Sequence, residues 1–91
     1  MIGNIAVSMA GHDKGSAYVI VKEDAEYVYL CDGRLKLLEK PKKKSRKHVA
    51  VNKRFDTGET GQKLLAGEKV SDTQIKRIMK LYKTHVDKTE V

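Results

Sequence analysis

Two apolar segments, Ala17–Lys22 (AYVIVK) and Tyr27–Cys31 (YVYLC), are separated by only four residues and followed at once by Asp32-Gly33. This spacing constrains the fold more than any other feature of the chain. Neither segment is long enough for a stable helix, and both are rich in the aromatic and β-branched residues that suit a pleated strand. Glu23-Asp24-Ala25-Glu26 reads as a polar hairpin connection, and Asp-Gly between strands is among the strongest short hairpin signals. In the second segment Val28 and Leu30 fall on one face, with Tyr27, Tyr29 and Cys31 on the other.

The same reading extends in both directions. Ile5 and Val7 alternate with Ala6 and Ser8 as a first strand, and Gly11-His12-Asp13-Lys14-Gly15 is a turn with two glycines available for positive φ. A fourth strand is expected over Arg34–Glu39 and a short fifth over His48–Val51. Five short antiparallel strands in so little chain imply a small barrel, because an open sheet would leave its edges unpaired. Residues 1–55 thus form a mainly β unit.

Residues 56–70 read as a connecting segment, in which Asp56-Thr57-Gly58-Glu59-Thr60-Gly61 is turn-rich and expected to be flexible and Leu64 and Leu65 begin a short helical turn. A helix is expected over residues 71–86. Ser71 and Gln74 make a capping-box pair. Ile75, Ile78, Met79, Tyr82 and Val86 then recur at helical spacing as one apolar face to pack on the barrel, while Lys76, Arg77, Lys80 and Lys83 fall mostly toward solvent.

Ninety-one residues can fill only one core. Phe55 is the sole phenylalanine and tryptophan is absent, so the core relies on Val, Ile and Leu. The formal charge of +7 opposes self-association, which favours a monomer, and it favours polyanionic partners. Cys31 is the only cysteine, which excludes an internal disulfide and a multi-cysteine zinc site and suits a reducing compartment. Met1-Ile2-Gly3-Asn4 lacks the features of a signal peptide, and no apolar run approaches the roughly 20 residues that span a bilayer. A cytosolic protein without membrane association is expected.

The charge is concentrated. Lys40 to Arg54 reads KPKKKSRKHVAVNKR, with no acidic residue. Lysine runs are often solvated loops, but this one lies between two expected strands, and Pro41 stiffens its approach. Lys40, Lys42, Lys43, Lys44, Arg46 and Lys47 would be displayed from a loop anchored at both ends. Such cations repel one another and gain when phosphates neutralise them and release counterions. In the Gly11–Gly15 turn, Lys14 adds a cation and His12 a donor.

The stretch Ile5 to Val21, IAVSMAGHDKGSAYVIV, resembles the KOW motif, a strand, a glycine-bearing loop and a second strand in one unit. Gly11 matches its central glycine and Lys14-Gly15 its basic-glycine pair. Asp32-Gly33-Arg34, Lys40-Pro41-Lys42 and Lys47-His48-Val49 follow in the order seen in bacterial relatives of the "fourteen-e" family of large-subunit ribosomal proteins. His12 stands where many of those relatives carry arginine, and the helix after Ser71 lies outside the motif. The resemblance covers roughly residues 2–51. It implies an SH3-like barrel that binds RNA, ribosomal in the first instance, beside ribosomal protein neighbours. Carried over, Gly11, Lys14 and Gly15 would shape and charge the loop, and Lys42, Lys43, Lys44, Arg46, Lys47 and His48 would be the basic binding segment; with His12, Arg34 and Lys40 these are the expected RNA contacts.

Tyr18, Tyr27 and Tyr29 are candidates for stacking on unpaired bases, although tyrosines in strands are more often half-buried packing residues. No catalytic constellation, metal-ligand spacing or cofactor motif can be assembled. Cys31 with His12, His48 or His85 lacks any nucleophile signature, and Cys31 is expected to pack beside a strand. The alternative to RNA binding is a protein-interaction adaptor, with the helix docking a partner through Ile75, Met79 and Tyr82. DNA binding through the same loops is a third reading.

Overall fold

A computed structural model describes residues 1–89, with side chains described through Val86. Ile5–Ser8 (β1), Ala17–Glu23 (β2), Tyr27–Cys31 (β3), Lys42–Ser45 (β4) and Val49–Asn52 (β5) form one antiparallel sheet in the order β4-β3-β2-β1-β5. A three-residue 3-10 turn, Arg46–His48, joins β4 to β5, the two edges of that sheet. This short link forces the sheet to curl. Flat strands about 4.8 Å apart would place the edges about 19 Å from each other. The four Cα steps from Ser45 to Val49 reach at most about 14 Å.

The curl gives the sheet two apolar faces. Inside it, Ala6, Tyr18, Ile20, Val28 and Leu30 are buried, with Val49 and Val51 of β5 packed against them. On the outside, Ile5, Val19 and Cys31 meet Ile75, Ile78 and Met79 of the helix Asp72–Thr89 (α2). Phe55 meets Tyr82 edge-on, with centroids 5.2 Å apart. The expected capping box is present and reciprocal: Gln74 N donates to Ser71 Oγ at 3.2 Å, and Ser71 N donates to Gln74 Oε1 at 2.8 Å. Ile75 and Met79 are 0% and 7% exposed, so these two residues are occupied by the sheet and cannot dock a partner. No helix of the described residues is long and apolar enough to cross a membrane.

Two expectations are corrected. The fourth strand does not lie at Arg34–Glu39. Asp32 Oδ1 accepts the backbone N–H groups of Arg34, Leu35 and Lys36 at 2.9, 3.0 and 2.9 Å, and those donors are lost to any strand ladder. The strand forms instead inside the lysine run, at Lys42–Ser45, so that segment is not a loop. Lysines suit an edge strand because they discourage pairing with another chain.

Residues 58–65 are also not a flexible connection but a helix, Gly58–Leu65 (α1). Its glycines signal close approach. A Cβ on Gly61 would lie 3.1 Å from Gly3 O and closer still to Thr57, whose Oγ1 donates to Gly3 O at 2.6 Å.

Gly33 is equally confined. It has φ +76° and faces the first turn of α2, where a Cβ would strike Asp72 O and Lys76 N. Gly15 has φ +91° but open space around it. Left-handed strain alone costs about 1–2 kcal/mol, and about 4–8 °C of Tm accompanies each kcal/mol in a domain of this size. Gly15→Ala should therefore lower Tm modestly, and Gly33→Ala should lower it at least twice as far in thermal unfolding followed by circular dichroism. Equal shifts would show that the contact between the 32–36 turn and α2 does not constrain the fold.

Candidate nucleic-acid interface

The loop between β1 and β2 is closed by its own backbone. Gly15 N donates to Ser8 O at 2.8 Å, Ser16 N to Asp13 O at 2.8 Å and Lys14 N to Gly11 O at 3.2 Å. Gly11 at φ +84° and Gly15 at φ +91° make these reversals without the strain a side chain would bring. The result turns Asp13 inward and leaves His12 and Lys14 exposed.

Asp13 is the centre of a polar cluster that the sequence did not announce. Its Oδ1 accepts from Lys44 Nζ at 2.8 Å and Ser8 Oγ at 2.9 Å, and its Oδ2 from Tyr18 Oη at 2.9 Å. Lys42 Nζ lies 3.0 Å from Oδ2. Lys44 also donates to Ala10 O at 2.8 Å, and its side chain is only 11% exposed. Burial by itself would raise the Asp13 carboxyl, yet the bonds from Lys44, Lys42, Ser8 and Tyr18 outweigh it and hold the group well below the usual carboxylate range. The Tyr18 phenol is pushed up to about 12 by burial and by its bond to that carboxylate.

This geometry sorts the candidates. Lys42 and Lys44 share the single Asp13 carboxylate, which ties both side chains to the loop, so they are not freely displayed cations. Tyr18 is 5% exposed and cannot stack on a base. Arg46 donates through Nη1 to Asp24 O at 2.7 Å, and Lys43 lies over the Tyr27 ring, 4.2 Å from its centroid. Lys14, Arg34, Lys40 and Lys47 are exposed, and none is ion-paired among the described residues.

Some of these are brought together. Met9 N donates to His48 O at 2.8 Å, which ties the loop carrying His12 and Lys14 to the 3-10 turn carrying Lys47 and His48. Arg34 lines a cleft of about 490 Å³ with Gly15, Ser16, Lys36, Tyr82 and Lys83. Lys40 sits apart, on the turn that leads into β4.

Lys22, Lys36 and Lys83 join the basic surface without having been among the candidates. Lys36 and Lys83 come to the cleft only through tertiary packing. Lys22 lies 5.3 Å from the Tyr29 ring centroid, and no pattern in the sequence signals that placement. Cys31 is fully buried, and its thiol is pushed up to about 12 by burial, with the charges of Asp72 and Asp32 adding. It is protonated and inaccessible at neutral pH. Among the described residues no group of His, Cys, Asp and Glu side chains converges as a metal site.

No protein-family model matches the chain, and no curated protein matches it significantly.

The Asp13 cluster makes a pH-dependent prediction. Asparagine in its place leaves Lys44 buried without a counter-charge, a change that costs about 2–4 kcal/mol for a partly buried pair. The folded-state pKa of Asp13 lies below the unfolded value of about 3.9. Its contribution is therefore complete above about pH 4 and lost as pH falls further. Asp13→Asn should lower Tm by on the order of 10 °C or more near pH 7. The gap from the parent protein should narrow steadily below about pH 4. A gap that stays constant with pH would mean that Asp13 is not the titrating group.

Proposed function

We propose that this protein is a non-enzymatic RNA-binding module of the KOW type, its curled sheet an SH3-like barrel, acting in the cytosol. The observation that carries the reading is the separation of charge around the β1–β2 loop. One carboxylate turns inward and holds Lys42 and Lys44, while Lys14, Lys47 and Arg34 face outward, none of them in an ion pair among the described residues. The outward cations make a cationic surface around a glycine-turned loop.

Such a surface grips phosphates and 2′-hydroxyls and reads shape more than base order. His12 and His48 contribute ring N–H donors on the same rim. A ribosomal setting, with ribosomal RNA and ribosomal proteins as neighbours, is supported by the ordered resemblance of four motifs. The adaptor reading is weakened because the apolar stripe of α2 that would serve it packs against the sheet.

The test is binding of a structured RNA hairpin as a function of salt. Replacing Lys14, Arg34 and Lys47 by glutamine should weaken binding and reduce the log–log salt slope by about 0.7–0.9 for each phosphate contact removed. Unchanged affinity with an unchanged slope would reject this surface as the site.

A further inference from the structure

The outer face of the sheet is only partly covered. Tyr27, Tyr29 and Cys31 share that face of β3; α2 covers Cys31 and leaves both tyrosines half-buried. A β-bulge in β2 determines what stands beside them. Ile20 pairs with Leu30, but the next partner of β3, Tyr29, is met by Lys22 and not Val21. The extra residue aims Lys22 outward at that row. On the other side Tyr29 is opposite Lys43 of β4. The register therefore builds a row Lys22–Tyr29–Lys43, with Tyr27 beside it.

Each ring carries an ammonium: Lys43 Nζ is 4.2 Å from the Tyr27 centroid and Lys22 Nζ 5.3 Å from that of Tyr29. The rings are fixed at the hairpin by Asp24, whose Oδ1 accepts the N–H groups of Glu26 and Tyr27 at 2.9 and 2.7 Å. Its Oδ2 accepts Tyr29 Oη at 3.2 Å. Those backbone bonds hold the Asp24 carboxyl below its ordinary range, so it remains an anion at the phenol end of Tyr29. Beyond Tyr27 the surface continues into a hollow lined by Ala25, Glu26, Ser45, Arg46 and Lys47, in which the two cations outnumber the one carboxylate.

We infer that Tyr27 and Tyr29 form a stacking platform for two consecutive unpaired nucleotides of RNA, with Lys22, Lys43 and Lys47 taking their phosphates. This rests on the RNA-binding reading and names the substrate class it leaves open. Residues two apart on a strand are about 6.8 Å from each other, twice the 3.4 Å rise of one stacked nucleic-acid strand. Two neighbouring bases can cover both rings only when they are no longer stacked on each other. A duplex cannot offer that; an extended single strand can.

The covering lysines do not block the site. An exposed cation–π contact is worth about 0.5–1 kcal/mol, against about 1–3 kcal/mol for a base on an aromatic ring. The base displaces the ammonium, which is then placed to meet the adjoining phosphate.

The experiment compares a short oligouridylate, which has little stacking of its own, with an RNA hairpin. The protein has no tryptophan, so tyrosine emission reports directly. Oligouridylate should quench that emission and shift the ring resonances of Tyr27 and Tyr29. The Tyr27→Leu/Tyr29→Leu variant, which keeps the apolar bulk, should lose on the order of ten-fold or more in oligouridylate affinity per ring, while hairpin affinity stays unchanged. The Tyr27→Phe/Tyr29→Phe variant should keep its affinity for both. Equal loss on both RNAs, no loss on either, or ring shifts at other tyrosines only would overturn the platform. If the leucine variant does not fold, the parent protein's ring shifts and the phenylalanine variant decide the matter. Binding of the hairpin alone rejects the platform but leaves the RNA-binding reading standing; binding of neither RNA rejects that reading itself.

Discussion

One carboxylate organises this fold. Asp13 receives Ser8 from β1, Tyr18 from β2, and Lys42 and Lys44 from β4, and so connects three strands through a single side chain. An ion pair this shielded gives little stability over an apolar equivalent, but removing one partner leaves a charge with no compensation. Its main effect is on geometry. The β1–β2 loop is tied down over the inner face of the sheet, and the cations that remain outward are distinguished from those that hold the structure. The densest part of the lysine run is in this respect partly scaffold.

The second organising feature is the way α2 divides the sheet's outer surface. The helix buries Ile5, Val19 and Cys31 and leaves Tyr27 and Tyr29 half-buried. What it leaves open is aromatic and cationic, and the bulge at Val21 completes it by bringing Lys22 into line with Tyr29. A cation-bearing loop rim and an aromatic sheet face thus belong to the same small framework, joined through β4 and the 3-10 turn after it.

Much of this was legible in the residues. Alternation and β-branching located β1, β2 and β3, because branched and aromatic residues suit a pleated strand, although the sheet buries both faces of β1 and most of β2. Ser71 and Gln74 located the start of α2, because orphan N–H groups at a helix end need acceptors. The failures share a cause: side chains that bond to backbone override local propensity. Asp32 withdraws three N–H donors from a stretch that otherwise reads as a strand. Gly58 and Gly61 look like turn residues, and only the proximity of Gly3 shows why α1 needs a glycine at 61. For the candidate site, the amount and position of positive charge were readable, but its division between buried and displayed lysines was not. That division depends on Asp13, twenty-nine residues or more away along the chain. The partner of Tyr29 was hidden for a similar reason, since a bulge changes register without leaving a pattern in composition.

The placement of β1 has a kinetic consequence. It is the first strand made, yet it lies between β2 and β5, and its second neighbour pairs Ile5 with Asn52. Forming that pair closes a long loop, and contacts so distant in sequence slow folding relative to local ones. On the ribosome, β1, β2 and β3 can come together as a meander early, but one side of β1 waits with open N–H and C=O groups until β5 has emerged. The apolar inner face stays accessible over the same interval, which makes the nascent chain, more than the finished domain, the state most exposed to wrong partners.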